Sequence, residues 1–225
     1  MNNPLSEKTP AYEPDVPEPK CRADLVKHWM KLSFDARTAN KALWVTEGGA
    51  KVARITDDVT CPVLERPESQ SQASALNLIL LSTPFQKVLC KEGILGFRAY
   101  YEVQCSGWVV VGLASERAGR RNKDGSCGLG DNEDSWCVGW SGSCYLAWHD
   151  GRISEIRDVP RSSVLGVYID HPAGILNFYA VEVCDDGTVG ETATLLQQVK
   201  SRFYDKMLPG VWLGTHSDCV IRRCD

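Results

Sequence analysis

Along most of this chain, short runs alternate apolar and polar residues with a period of two. In Arg98-Ala99-Tyr100-Tyr101-Glu102-Val103, Ala99, Tyr101 and Val103 share one face, and Arg98, Tyr100 and Glu102 the other. Farther on, Leu165, Val167 and Ile169 form a second apolar face. This alternation is the pattern of a strand with one side buried. Asp170-His171-Pro172-Ala173-Gly174 then supplies turn residues and Ile175 starts a new run, so the stretch reads as a hairpin with a longer loop. Similar runs predict strands at Trp44-Val45, Val52-Ala53, 87–90, 98–105, 108–114, 135–140, 144–149, 164–170, 175–181, 193–196 and 208–214. Gly, Pro, Asn and Asp separate them, which argues for an all-β sandwich or barrel. A short helix is expected within Cys21–Met30, where Leu25 and Trp29 fall one turn apart and can dock onto the sandwich.

Three segments depart from the rhythm. Residues 1–20 hold five of the eleven prolines among acidic and polar residues, and read as a flexible leader. Residues 69–84 contain the apolar run Ala75–Leu81 between polar flanks. Residues 115–134 form a long polar loop, basic first and acidic last.

Length and composition narrow the function. A single sandwich of about 200–250 residues is ordinary, and 43% hydrophobic residues among 225 suffice for a real core. A net charge of −4 with both signs mixed argues against nucleic acid as a partner. No apolar run reaches the roughly 18 residues of a membrane span, and Met1–Lys8 lacks the apolar stretch of a secretory signal. Ten cysteines, with no Asn-x-Ser/Thr sequon, read as free thiols in a reducing, cytoplasmic setting, because disulfide frameworks belong mainly to small domains without a core.

Catalytic and cofactor chemistry finds no support. Gly139-Trp140-Ser141-Gly142-Ser143 has serine where a nucleophile elbow needs its second glycine. Asp170-His171 lies in a turn without a nucleophile. His28, His149, His171 and His216 form no ligand spacing, and Asp131–Asp134 lacks the glycine and later glutamate of a calcium loop. Gly125–Gly130 matches no phosphate-binding fingerprint. The sequence therefore predicts no metal, no cofactor and no catalytic residue.

Several motifs, taken in order, resemble a known family. Leu32–Asn40 resembles the opening PRY motif, Cys61–Glu68 its end, and Val88–Gly93 the join to SPRY. Tyr101-Glu102-Val103 is similar to Trp-Glu-Val, Tyr168-Ile169-Asp170 with Ala173-Gly174 to Leu-Asp-Tyr-Glu-Ala-Gly, and Leu208–Trp212 to Tyr-Pro-Gly-Phe-Trp. The chain thus resembles the PRY-SPRY domains at the ends of fish tripartite-motif, NACHT-type and stonustoxin-like proteins. That resemblance implies a two-sheet antiparallel sandwich of concanavalin-like jelly-roll type with a short N-terminal helix. Residues 21–85 would be the PRY region and 86–225 the SPRY region, one sandwich together. The segment 69–84 departs from the pattern, as a surface loop or as an error of gene assembly. With no RING finger, B-box or coiled coil here, ubiquitin-ligase activity does not carry over.

The function implied is binding of a protein or peptide through loops at one end of the sandwich, inside the cell and in innate immune recognition. Interface anchors are typically Trp, Tyr and Arg. The candidate partner-binding residues are Arg117, Arg120, Arg121 and Lys123 of the long loop with Trp108, Trp140 and Tyr145 of the central strands. Trp136 and Trp148 read as core. Three rivals stay open: a carbohydrate-binding lectin, a terminal fragment of a stonustoxin-like pore-forming protein, and a truncated ubiquitin ligase.

Overall fold

The computed structural model describes residues 11–54, 87–118 and 129–224. Helix α1 (Arg22–Val26) precedes thirteen strands: β1 (Leu43–Thr46), β2 (Lys51–Arg54), β3 (Lys87–Leu89), β4 (Arg98–Ser106), β5 (Val109–Ser115), β6 (Ser135–Trp140), β7 (Tyr145–His149), β8 (Arg152–Ile156), β9 (Val164–Asp170), β10 (Ile175–Val183), β11 (Val189–Lys200), β12 (Met207–Leu213) and β13 (Ser217–Ile221). They form two antiparallel sheets. One has seven strands in the order β1-β2-β13-β4-β9-β10-β11, and the other six in the order β3-β12-β5-β6-β7-β8. The architecture is the expected two-sheet antiparallel sandwich. The predicted insert at 69–84 lies outside the described residues, as do residues 119–128 of the loop 115–134.

The core forms where the alternating apolar faces meet. Ala99, Tyr101 and Val103 of β4 and Leu165, Val167 and Ile169 of β9 pack against Val109, Val111 and Leu113 of β5 and Trp136 and Val138 of β6. Apolar burial of this kind stabilises at about 25 cal/mol per Å².

Both outer faces are covered as well. On the seven-stranded sheet, Leu25 of α1 packs with Tyr100, Tyr168 and Tyr179, and Trp29 meets Tyr100 edge-on with ring centroids 5.8 Å apart. Glu102, fully buried beneath α1, accepts from Arg22 Nε at 2.7 Å and Nη2 at 3.0 Å and from the Tyr100 hydroxyl at 2.8 Å, and it pairs with Arg222 at 3.4 Å. A buried carboxylate needs such partners to stay charged. Burial, reinforced by the Glu102 charge, pushes the Tyr100 phenol well up. The segment 11–20, expected as part of a free leader, touches the same sheet: Tyr12 lies under the Arg98 guanidinium, and Glu18 accepts from Asn177 at 3.0 Å and Gln198 at 2.9 Å. On the six-stranded sheet, Ala118 and Leu129 join an outer cluster of Trp108, Val110, Leu146, Trp148 and Trp212.

The register defines two ends. Arg98 pairs with Asp170, Ile175 with Lys200, Met207 with Ser115, and His149 with Arg152. One end, called upper, therefore carries the connections 91–97, 171–174 and 201–206 and the start of the loop after β5. The lower end carries 107–108, 141–144, 157–163 and 214–216.

Candidate interaction surface

The upper connections are tied to one another through Asp205. Its carboxylate receives Arg117 Nε at 3.0 Å and the Ser115 hydroxyl at 3.3 Å, while its carbonyl accepts from His171 Nε2 at 2.9 Å. That bond fixes the His171 tautomer with the proton on Nε2. Glu116 donates its backbone N–H to Lys206 at 2.8 Å, and its carboxylate pairs with Lys206 Nζ at 3.4 Å. Ile94 and Met207 exchange both backbone hydrogen bonds at 2.8 and 2.9 Å, and His171 N–H reaches the Phe97 carbonyl at 3.3 Å. Gly174, at φ 71°, lies so close to the Ser201 carbonyl that no Cβ fits there. Four connections thus form one cross-linked platform. The buried rings of Phe203 and Trp136 support it from below at 5.4 Å.

What the platform shows to solvent is partly apolar. Tyr204 is 78% exposed and Leu95 48%. Pro172, Ala173, Arg117 and Arg202 are exposed around them. A large aromatic held out on a braced loop suits an interface anchor, since little side-chain or backbone freedom remains to be lost on docking.

The structure does not bring the predicted binding residues together. Arg117 belongs to the upper platform. Arg120, Arg121 and Lys123 lie outside the described residues. Trp108 and the Trp140/Tyr145 pair sit at the lower end, on the far side of a strand about 20 Å long. Trp108 and Tyr145 are also buried, contrary to the exposed role expected of them. Trp108 packs edge-on against Trp212 at 4.5 Å, and the Tyr145 hydroxyl accepts the Ser162 N–H at 2.7 Å. Trp140 is half-buried, edge-on to Tyr145 at 4.9 Å. Trp136 and Trp148 are buried as expected. Sequence reasoning missed Tyr204 and Leu95. The signal available was Tyr204 between Arg202 and Lys206, shortly before a predicted strand and outside any alternating run.

Comparison with known proteins adds the family. The family model described as "SPRY domain" matches residues 98–222, more than half of the chain. The chain belongs to the SPRY domain family. SPRY domains are non-catalytic modules that generally bind protein ligands. Among curated relatives, tripartite motif-containing protein 16 of Mus musculus is 26% identical over 93% of this chain and 34% of its own length. Stonustoxin subunit beta of Synanceia horrida is 28% identical over 93% of this chain and 27% of its own length. This chain therefore spans about a third or less of either relative. A stonustoxin structure superposes with a TM-score of 0.69 at 26% identity, covering 93% of this chain and 30% of that one. The TRIM65 PSpry domain superposes with a TM-score of 0.66 over 90% of this chain and 98% of that one, at 20% identity, a likeness of fold. No helix among the described residues is long and apolar enough to cross a membrane.

Proposed function

We propose that this SPRY domain binds a protein or peptide partner through the upper platform, with Tyr204 as the anchor and Arg117 at its rim, and that Arg120, Arg121 and Lys123 of the same loop sequence add basic charge to the encounter. The single observation that carries the reading is Tyr204, largely exposed on connections that Asp205 and His171 lock together. An exposed aromatic anchor gains by burial, whereas rim charges mainly steer the encounter. An intracellular role in innate immune recognition, implied by the likeness to tripartite-motif proteins, belongs to the same proposal.

The test begins with capture from cell lysate, comparing the native domain with Tyr204→Ser. Rates on the recovered, purified partner then follow by surface plasmon resonance. Tyr204→Ser is expected to speed dissociation and cost about 2 kcal/mol of affinity. Joint reversal of Arg120 and Arg121 to Glu is expected to slow association and weaken its salt dependence. Trp140→Ala serves as the lower-end control. A loss with Trp140→Ala alone would move the interface to the opposite end.

A second reading has its own support: stonustoxin is similar both in sequence and in fold. On that reading the domain is the terminal part of a cytolytic protein. Lysis of erythrocytes by the purified domain, or by a longer gene product that contains it, would favour this alternative.

A further inference from the structure

A cavity of about 290 Å³ opens between the two sheets at the edge formed by β8 and β11. Its floor is aromatic, Trp136 from β6 and Phe178 from β10. The pairing of Ala147 with Ser154, His149 with Arg152, and Phe178 with Gln197 sets Arg152, Ser154 and Gln197 on the inward faces of the two edge strands. Inward positions of a sandwich are ordinarily apolar. Here the small side chains of Ala147 and Ser154 leave room, and polar groups ring the opening. A β-bulge between Phe178 and Tyr179 shifts the register of β11 at this level, a device common beside functional sites.

Among the residues that line the opening, Arg152 alone carries a full charge, and Glu18 reaches the outward-facing Gln198 from the outer face of the sheet. Arg152 is exposed and, among the described residues, has neither an ion pair nor a side-chain hydrogen bond. Glu155, on the same strand, is engaged with Arg157 instead. His149 stacks on Trp136 at 4.7 Å and turns Nδ1 to the Ser135 carbonyl at 2.9 Å, so Nδ1 carries the proton. The cavity is therefore an apolar slot, sized for one large side chain, beside the Arg152 cation.

We infer that this edge cleft is a second binding site, separate from the upper platform, for an extended acidic peptide of a partner protein. One apolar side chain enters between Trp136 and Phe178, and a neighbouring carboxylate pairs with Arg152. Charge complementarity selects the acidic partner. The open hydrogen-bonding edges of β8 and β11 select an extended chain over a compact ligand, because only a backbone can use them.

The test uses two probes, acetyl-Glu-Leu-Glu-Phe-Glu-amide and its counterpart with Lys in place of Glu, titrated into the ¹⁵N-labelled domain and followed by NMR. The acidic peptide is expected to shift, saturably, the Trp136 indole, the Arg152 Nε–H and the β8 amides, and the basic peptide to leave them in place. Arg152→Glu, at an exposed position, should weaken the acidic peptide on the order of ten-fold or more. Ser154→Phe should fill the slot and abolish the Trp136 shift. Tyr204→Ser should change nothing at the cleft, which keeps this site separable from the platform. The inference is overturned if neither peptide shifts these signals, if both shift them equally, or if Arg152→Glu leaves the acidic peptide bound. That last result would make Arg152 an inward charge that guards the edge against self-pairing.

Discussion

Asp170 has two tasks at the start of the hairpin turn. Its Oδ1 accepts the Ala173 N–H at 3.0 Å, the backbone bond expected of an aspartate ending a strand before a turn, and its Oδ2 receives Arg98 Nε at 2.6 Å. Both members of that ion pair are nearly inaccessible, with side-chain exposures of 9% and 4%. The sequence shows the turn bond, because it is local. It does not show the ion pair, whose members stand 72 positions apart and meet only through the β4–β9 register. Asp170→Ala is accordingly expected to lower unfolding stability by about 3 kcal/mol, since an uncompensated buried guanidinium remains, measured as a shift of the urea midpoint at constant slope. The cysteines divide by the same criterion of burial. Cys21, Cys184 and Cys224 are exposed, whereas Cys90, Cys137 and Cys219 are buried and their thiols are pushed well up, by burial for Cys90 and Cys137, and for Cys219 first by a hydrogen bond with Cys105 and then by burial. Thiolate is the reactive form. In the native protein Cys21, Cys184 and Cys224 should react fast with an aromatic disulfide reagent while Cys90, Cys137 and Cys219 stay silent. In denaturant without reductant, all ten cysteines of the chain are expected to react.

At the level of elements, strands whose alternation has a buried side were legible, and those without one were not. β6 and β9 match their expected bounds, as the apolar faces of Ser135–Trp140 and Val164–Asp170 require. β8 was missed because Arg152 and Ser154 put polar residues on its inward face, and β13 because Ser217–Ile221 is short and follows a turn. β11 is longer than its predicted core of 193–196, since an edge strand extends with polar residues on both sides. Helix α1 spans only Arg22–Val26, and Leu25 and Trp29 do share its docking cluster. Docking leaves a pH signature at His28. Burial lowers its pKa from 6.5, and the Arg98 charge adds to this against weaker opposition from Asp170; Lys27 and Asp24 act more weakly still, in opposite senses. The fold therefore favours the neutral ring. Stability should be fully present above about pH 6.5, the unfolded value, and fall as pH drops through the lower folded value. His28→Gln should flatten that limb of a stability-against-pH curve, and an unchanged curve would assign the acid sensitivity to another group.

For the whole molecule, the fold class was readable because it rests on repeated local pattern. The binding surface was not, because it rests on which connections share an end of the sandwich. Trp108 and Arg117 are near in sequence, yet β5 holds them at opposite ends. Tyr204 and Arg117 are far apart in sequence, yet Asp205 joins them. The strands on either side of residues 55–86, β2 and β3, are each paired within a sheet, and closing a shorter loop changes stability by only about 0.6 kcal/mol per halving. Deleting Ser69–Ser82 should thus leave the thermal midpoint within a few degrees of the native value, as read by calorimetry. The clamp on Glu102 has a mechanical consequence. Arg22 and Arg222, two hundred positions apart, grip one carboxylate on the central strand β4. A tension applied across residues 22 and 222 therefore loads these two ion pairs before it reaches the sandwich. Pulled in an optical trap from handles at those positions, the domain should yield in two steps, α1 peeling away first. Glu102→Gln should lower the force of the first step and leave the second in place.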